Sequence, residues 1–403
     1  MTNTQQQMIA ATPETKAAAS AKPAVHLGYL DTIRVILIIL VIALHTAITY
    51  GGDGDWTYED PVQNEVTSII LTFVTGIVQS FSLGLYFFIS GYFTPGSYDR
   101  KGAGRFWKDR LLKLAVPMLV YTFLLSRIPQ YVAGRAKGSI TDSFWQFSAR
   151  TFITGADEGP TWFIFALLLF LVGYTIWRLA TSSTKPERLA WTKKLNAPGK
   201  VQILTFGLVV AVLMFVVGLK SGVGETIAVF GIFDLMTIFF VQYILFFIAG
   251  ILAYRNDWLN RFNGKDLRFW AWFSGGMIVM MPVLFAVVLI TGGSPESFMG
   301  GLNFPAAAFM VWVGLFSVSI SMTLILWLRD RKKPRSKVME FAGHNSYGVY
   351  LIHPIILIPV AVLMTPVPLP PLVKYVIVLP LVVVLCFLAA DGLRRLPGFK
   401  AVL

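Results

Sequence analysis

Residues 29–49 read YLDTIRVILIILVIALHTAIT, a nearly continuous apolar run that contains one arginine and one histidine. Arg34 and His45 are eleven residues apart, which in an α-helix is three turns and about 16 Å, so both side chains share one face. An arginine near the centre of a membrane helix costs about 2.5 kcal/mol or more, and such groups usually serve a function. Asp31, one turn before Arg34, is placed to pair with it. The spacing therefore indicates a membrane helix that carries a functional pair.

The composition extends this interpretation to the whole chain of 403 residues, of which 56% are hydrophobic and only 14% are charged. A hydrocarbon core of about 30 Å is crossed by about 20 helical residues. We predict an all-α integral membrane protein with about ten transmembrane helices. The predicted spans are roughly 30–50, 66–90, 111–127, 162–180, 201–219, 234–254, 269–291, 305–328, 346–364 and 373–391.

The charges of the loops predict the topology. The loop after the first span holds five carboxylates and no basic residue, whereas the loop after the second is rich in Lys and Arg, and the alternation continues. Cytoplasmic loops retain Lys and Arg, so both termini are predicted to be cytoplasmic, in a multi-pass protein of the cell membrane. The exception is 128–160, which carries Arg135, Lys137 and Arg150 on the predicted outside.

The net charge of +13 follows from this topology. Basic loops attract anionic lipid headgroups, and no soluble basic domain suggests nucleic acid as a partner. Residues 1–27 are poor in apolar side chains and are predicted to be a disordered cytoplasmic tail. Residues 28–395 form one membrane domain, and 396–403 form a short cytoplasmic tail. The single cysteine, Cys386, provides no metal cluster, and no tightly bound cofactor is expected.

The chemistry of the pair suggests two roles. On the predicted topology Arg34 lies in the cytoplasmic leaflet and His45 lies deeper, toward the outer half. Arginine binds phosphate through its planar fork of donors, and histidine accepts and returns protons near neutral pH. The alternatives are that Arg34 extends to the inner headgroups and that His45 is a hydrogen-bonding group in helix packing.

Further segments bear on the same site. The second span ends with the small pair Ser90-Gly91, and Arg110 and Lys113 precede the third span. His344 lies at the start of the predicted ninth span and His353 lies within it. Their nine-residue spacing puts them on opposite faces of one helix, so they form no two-ligand metal site. The alternative role of His353, which precedes Pro354, is structural: it would only satisfy the carbonyls that the proline frees.

With these residues in view, the chain resembles the type 3 membrane acyltransferase family. The resemblance rests on Arg34 and His45, on Phe87 to Phe93 with Tyr92, on Arg110 and Lys113 before Pro117, on Trp162-Phe163, and on Ser346-Tyr347 followed by Tyr350-Leu351-Ile352-His353. The sequence departs from the family pattern just before Trp162, where many relatives carry a histidine and this chain has Pro160 and Thr161.

The resemblance implies transfer of an acyl group from cytoplasmic acyl-CoA to a hydroxyl of a sugar, glucan or related acceptor. Arg34, Arg110 and Lys113 would bind the phosphates of acetyl-CoA, succinyl-CoA or a similar donor, and a break at Ser90-Gly91 would admit its thioester arm. His45 would act as general base, or form a transient acyl-histidine. The supporting residues would be Asp31, Tyr92, Trp162, Ser346, Tyr347, Tyr350 and His353. No oligomeric state is predicted.

The alternative class is a proton-coupled transporter of a small molecule. Many helices, an intramembrane Arg and His, and glycine or proline interruptions also suit alternating access. The two halves of the chain do not pair as repeats, and the titratable groups are concentrated in the first three spans and the ninth.

Overall fold

A computed structural model describes residues 27–152, 154–182, 195–331 and 336–399. The chain forms thirteen α-helices in this part and one hairpin of two short strands. The helices are α1 Gly28–Thr49, α2 Glu65–Arg110, α3 Val116–Val120, α4 Arg127–Ala136, α5 Phe144–Arg150, α6 Trp162–Ser182, α7 Lys200–Gly218, α8 Thr237–Arg255, α9 Trp258–Arg261, α10 Leu267–Ile290, α11 Phe304–Arg329, α12 Lys337–Met364 and α13 Pro371–Arg395; the strands are β1 Thr226–Val229 and β2 Phe233–Met236.

Nine helical stretches of the described chain are long and apolar enough to cross a membrane, and the second of them runs from Glu65 to Ala136. Its 72 residues would measure about 108 Å if straight, far more than one crossing needs. The helix breaks at Gly102, which has φ 69° and ψ 165°. Lys137 Nζ lies 3.4 Å from the carbonyl oxygen of Thr57, so the chain has returned to the end of the bundle at which α2 began. The stretch therefore crosses twice, and the prediction of an all-α membrane protein with about ten spans is confirmed.

Both ends of the described chain lie at one end of the bundle. Arg34 is near the start of α1, and Arg394, near the end of α13, donates to the carbonyl of His344 near the start of α12. We call this the basic end, and the opposite end, which holds the loop 50–64, the acidic end. The membrane sides that they face stay a prediction. Residues 1–26 and 400–403, which make up most of the two predicted tails, lie outside the described residues.

Helices α2 and α8 pack through paired glycines. A Cβ on Gly91 would lie 2.1 Å from the carbonyl oxygen of Phe247, and one on Gly250 would lie 2.1 Å from that of Phe88. Real side chains never approach so closely, so only glycine allows this contact. Small residues commonly bring membrane helices together in this way.

The basic residues of 128–160, the exception in the predicted charge pattern, are bound locally at the acidic end. Arg150 pairs with Asp142 at 2.9 Å, Arg135 donates to the carbonyls of Ile140 and Thr141, and Lys137 reaches Thr57 as described above.

The hairpin of β1 and β2 was not predicted from the sequence. Its strands pair antiparallel, with Val229 opposite Phe233, and the ring of Phe233 stacks on Phe165 of α6 at 4.2 Å. The hairpin brings Asp234, whose backbone N–H donates to Glu158 Oε1 at 3.1 Å, to the acidic end.

A buried ion pair holds the loop 50–64 against the bundle. Lys374 Nζ of α13 lies 3.0 Å from Asp60 Oδ2, and the two side chains are 1% and 0% exposed. Lys374 also donates to the carbonyl of Thr365, and a hydrogen bond of 2.6 Å joins the hydroxyls of Tyr58 and Thr365. These contacts fix the loop that carries Trp56.

Candidate active site

A cavity of about 1910 Å³ reaches from the basic end of the bundle to the acidic end. Arg34 and Arg394 line it at the basic end, and Glu158 and Glu296 line it at the acidic end. His45 lies on the wall between them. One histidine is therefore within reach of a molecule that enters from either end.

His45 contacts a second histidine from α12. His45 Nδ1 lies 3.0 Å from His353 Nε2, and His353 Nδ1 lies 2.7 Å from the carbonyl oxygen of Tyr350. The indole of Trp56 stacks on the His45 ring with centroids 4.0 Å apart and an interplanar angle of 12°. His353 is fully buried, so the cavity reaches this pair only through His45.

These contacts determine which nitrogens carry protons in the neutral pair. A carbonyl oxygen only accepts, so His353 Nδ1 must be the donor to Tyr350. His353 Nε2 then has the lone pair and accepts from His45 Nδ1–H, which leaves the lone pair of His45 on Nε2. His45 Nε2 has no hydrogen-bond partner among the described residues. The arrangement is that of a base with its accepting nitrogen free.

Arg34 is held in place from several directions at the basic end. Its Nη1 donates to Asp31 Oδ1 at 3.2 Å, as the one-turn spacing predicts, and its guanidinium lies 4.8 Å from the centre of the Phe93 ring. Tyr86 donates its hydroxyl to the Arg34 carbonyl at 2.9 Å. The Arg34 side chain is 35% exposed, which leaves part of the guanidinium available to a ligand.

Arg394 is a second cation at this mouth, and it was not among the predicted site residues. Its Nη1 donates to the carbonyl of His344 at 2.8 Å and to Asn345 Oδ1 at 3.3 Å. Its Nε is buried and has no hydrogen-bond partner in the described chain. The mouth therefore carries two guanidinium groups from the first and last helices.

Arg110 and Lys113 lie near this end but do not line the cavity. The Arg110 guanidinium stacks 5.2 Å from the Phe106 ring and is close enough to Arg34 for the two charges to interact. The Lys113 side chain is exposed. Their predicted contact with donor phosphates stays a prediction, and it requires a ligand that extends beyond the mouth.

The predicted break at Ser90-Gly91 is wrong. Helix α2 continues through both residues, and its single non-helical position is Gly102. Ser90 lines the cavity, whereas Gly91 faces the backbone of α8. Tyr92 is also packed there, edge-on to Tyr254 at 5.5 Å. The close approach of another backbone at Gly91 is a packing contact rather than a channel for the donor.

The remaining predicted site residues join α12 to the third and fourth spans. Tyr347 donates to the carbonyl of Lys113 at 2.6 Å, and Tyr350 donates to the carbonyl of Pro160. Ser346 Oγ donates to Gly343 O at 3.1 Å within α12. These two tyrosines, Ser346 and Trp162 all line the cavity. The structure thus gathers most of the predicted site around one space.

The acidic end of the cavity is lined by carboxylates. They are Asp53, Asp55, Glu65, Asp157, Glu158, Asp234 and Glu296. No Lys or Arg of the described chain lines this end. Burial raises the pKa of Glu158 from 4.5 to about 7, although the N–H of Asp234 that it accepts opposes the rise. Aromatic rings of Trp56, Trp162 and Phe298 lie among these groups.

Comparison with known proteins gives one consistent result. A family model described as "Acyltransferase domain" matches residues 27–391. The chain is 25% identical to glucans biosynthesis protein C of Salmonella schwarzengrund (strain CVM19633) over 346 residues, 83% of each chain. Similar proteins of the same name from Salmonella heidelberg (strain SL476) and Salmonella paratyphi B (strain ATCC BAA-1250 / SPB7) are 25% and 24% identical over the same share. No solved structure matches. The match over most of the chain shows that this membrane protein belongs to the type 3 acyltransferase family.

Proposed function

We propose that the chain moves an acetyl, succinyl or similar acyl group from acyl-CoA, bound at the basic end, to a carbohydrate hydroxyl that enters from the acidic end. The observation that carries this proposal is the free Nε2 of His45 in a cavity that reaches a cationic mouth and an anionic mouth. Family membership favours acyl transfer over the transporter alternative.

In the proposed reaction His45 is the general base. Its Nε2 takes the proton of the acceptor hydroxyl while that oxygen attacks the thioester carbonyl carbon. The C–S bond then breaks, and the proton passes from His45 to the departing CoA thiolate, so His45 is regenerated. A positioned general base contributes roughly 10² to 10⁴ in rate. A transient acyl-histidine formed at the same Nε2 is the alternative route.

The charge at the basic end supports a polyanionic donor. Arg34 and Arg394 present donors to the cavity, and an arginine fork matches the geometry of a phosphate group. Arg110, whose charge interacts with that of Arg34, would hold a phosphate outside the mouth. On the proposed topology this end is cytoplasmic, where acyl-CoA is made.

The acidic end supports an acceptor that is rich in hydroxyls and has no negative charge. Carboxylates accept hydrogen bonds from hydroxyl groups, and their mutual field repels anions. Flat faces of aromatic rings beside them suit a sugar. The relatives named glucans biosynthesis protein C support a glucan as the first acceptor to test.

The test is turnover by purified protein in lipid nanodiscs, with acetyl-CoA or succinyl-CoA as donor and a glucan oligosaccharide as acceptor, followed by mass spectrometry. His45→Ala should reduce transfer by at least about a hundredfold, since it removes the general base. Donor binding measured by calorimetry should change little. Full transfer by His45→Ala would refute the proposal.

A further inference from the structure

The carbonyl that accepts from His353 is available because of a proline. In an α-helix the N–H of residue 354 would donate to the carbonyl of residue 350, but Pro354 has no N–H. The Tyr350 carbonyl thus lacks its helical partner, and His353 Nδ1 lies 2.7 Å from it. The His353 side chain that makes this contact is fully buried.

We propose that Pro354 is a positioning residue that fixes the tautomers of His353 and His45. By leaving the Tyr350 carbonyl to His353 Nδ1, it keeps the lone pair of His353 on Nε2, where His45 Nδ1–H donates. The lone pair of His45 is thereby kept on Nε2, toward the cavity. The catalytic part of this inference rests on the proposed function.

The opposite arrangement shows what the proline prevents. If His353 carried its proton on Nε2, it would donate to His45 Nδ1, and His45 would carry its own proton on Nε2. The nitrogen facing the cavity would then be a donor and could not take a proton from an acceptor hydroxyl. The two arrangements have the same ring contact of 3.0 Å, so only the bond at His353 Nδ1 separates them.

A second backbone carbonyl beside the cavity is also bound by a side chain of α12. Tyr347 donates its hydroxyl at 2.6 Å to the carbonyl of Lys113, which lies in a π-helical turn, Leu111–Ala115, just before Pro117. Carbonyls freed where membrane helices are interrupted need such partners, and here the partners are groups of the site.

The experiment is nitrogen NMR of the full chain labelled with ¹⁵N-histidine. The chain contains only four histidines, so single His→Gln variants assign the signals. We expect the native protein to show His45 and His353 protonated at Nδ1. In Pro354→Ala, whose new N–H competes for the Tyr350 carbonyl, we expect His45 to become partly protonated at Nε2. The kcat should fall by about tenfold or more, a part of the roughly 10² to 10⁴ that a general base contributes, because only a part of the protein loses its base; the donor KM should be unchanged.

Pro359→Ala is the matched control, because Pro359 lies in the same helix and does not line the cavity. It should leave both tautomers and kcat unchanged. Protonation of His353 at Nε2 in the native protein would overturn the inference without any variant, as would unchanged tautomers in a folded Pro354→Ala protein. If the native tautomers are as expected but the protein transfers no acyl group, the proposed function is refuted and the tautomer assignment stands.

Discussion

The buried pair of Asp60 and Lys374 gives a prediction about stability with a defined magnitude. Lys374→Met would remove a cation 3.0 Å from the Asp60 carboxylate, and the two side chains are only 1% and 0% exposed. The carboxylate would keep one hydrogen bond, from the Val62 N–H at 2.9 Å, but no opposite charge among the described residues. Breaking a buried pair from one side costs about 3 to 5 kcal/mol, and we expect that loss in the free energy of unfolding.

The assay is equilibrium unfolding of the purified protein in mixed micelles, with a double variant to separate the pair from its parts. Asp60→Asn with Lys374→Met removes both charges and should recover much of the loss, because no unpaired charge stays buried. The control is Arg395→Ala, which breaks an exposed pair with Asp391 and should cost less than about 1 kcal/mol. A cost below about 1 kcal/mol for Lys374→Met would refute the reasoning.

Three further predictions concern the donor site, pH and helix packing. Arg34→Ala should weaken acetyl-CoA binding about tenfold or more in calorimetry, since a hydrogen bond to a charged group contributes about 1.5 to 3 kcal/mol. Arg331→Ala, a change outside the cavity, should leave the affinity unchanged. Equal affinities of the native protein and Arg34→Ala would refute the assignment. Burial raises the pKa of Glu158 to about 7, so the folded protein binds a proton between pH 4.5 and 7 that the unfolded chain releases. Unfolding midpoints should therefore fall as pH rises through this range, and Glu158→Gln should flatten that dependence. An equal slope in both proteins would contradict this. Gly91→Ala should destabilise the protein by about 1 to 3 kcal/mol because its Cβ meets the α8 backbone, whereas Gly104→Ala, with nothing within 4 Å, should be tolerated; similar unfolding midpoints would contradict the packing.

The spans were predictable because each is an apolar run of about the length that a bilayer requires. The predicted first span, 30–50, differs from α1 by two residues at its start and one at its end. The length of α2 was not predictable in this way. Its last part, from Gly91 to Arg110, is helical although it mixes polar and apolar residues and is not an apolar run. The reversal at Gly102 depends on one left-handed residue.

The site was predicted in part. The shared face of Arg34 and His45 follows from helical spacing, and both residues line the cavity. The contact of His45 with His353 joins residues 308 positions apart, which no local pattern encodes. The expectation that His353 satisfies a carbonyl freed by Pro354 agrees with the contact to Tyr350, but His353 also contacts His45 through its other nitrogen.

Other site residues carried no recognisable signal. Trp56 lies in a loop where an interfacial aromatic is the ordinary expectation, and its stacking on His45 depends on the buried anchor at Asp60. Asp234 reaches the acidic end through a hairpin of four-residue strands, too short for a clear alternation of polar and apolar residues. Arg394 is one of several basic residues at a helix end, and only the tertiary fold distinguishes it.

The central claim is that donor and acceptor meet at His45 from opposite ends of one cavity. The most direct measurement uses sealed proteoliposomes with glucan oligosaccharide inside and acetyl-CoA or succinyl-CoA, which do not cross the bilayer, outside. Because both chain ends lie at the basic end, a terminal tag is outside only on molecules with the basic end outward, and vesicles that contain them are selected by affinity capture of that tag. We predict acylated glucan inside intact vesicles, and none with His45→Ala. Acylation only when donor and acceptor share one side of the membrane would contradict the account.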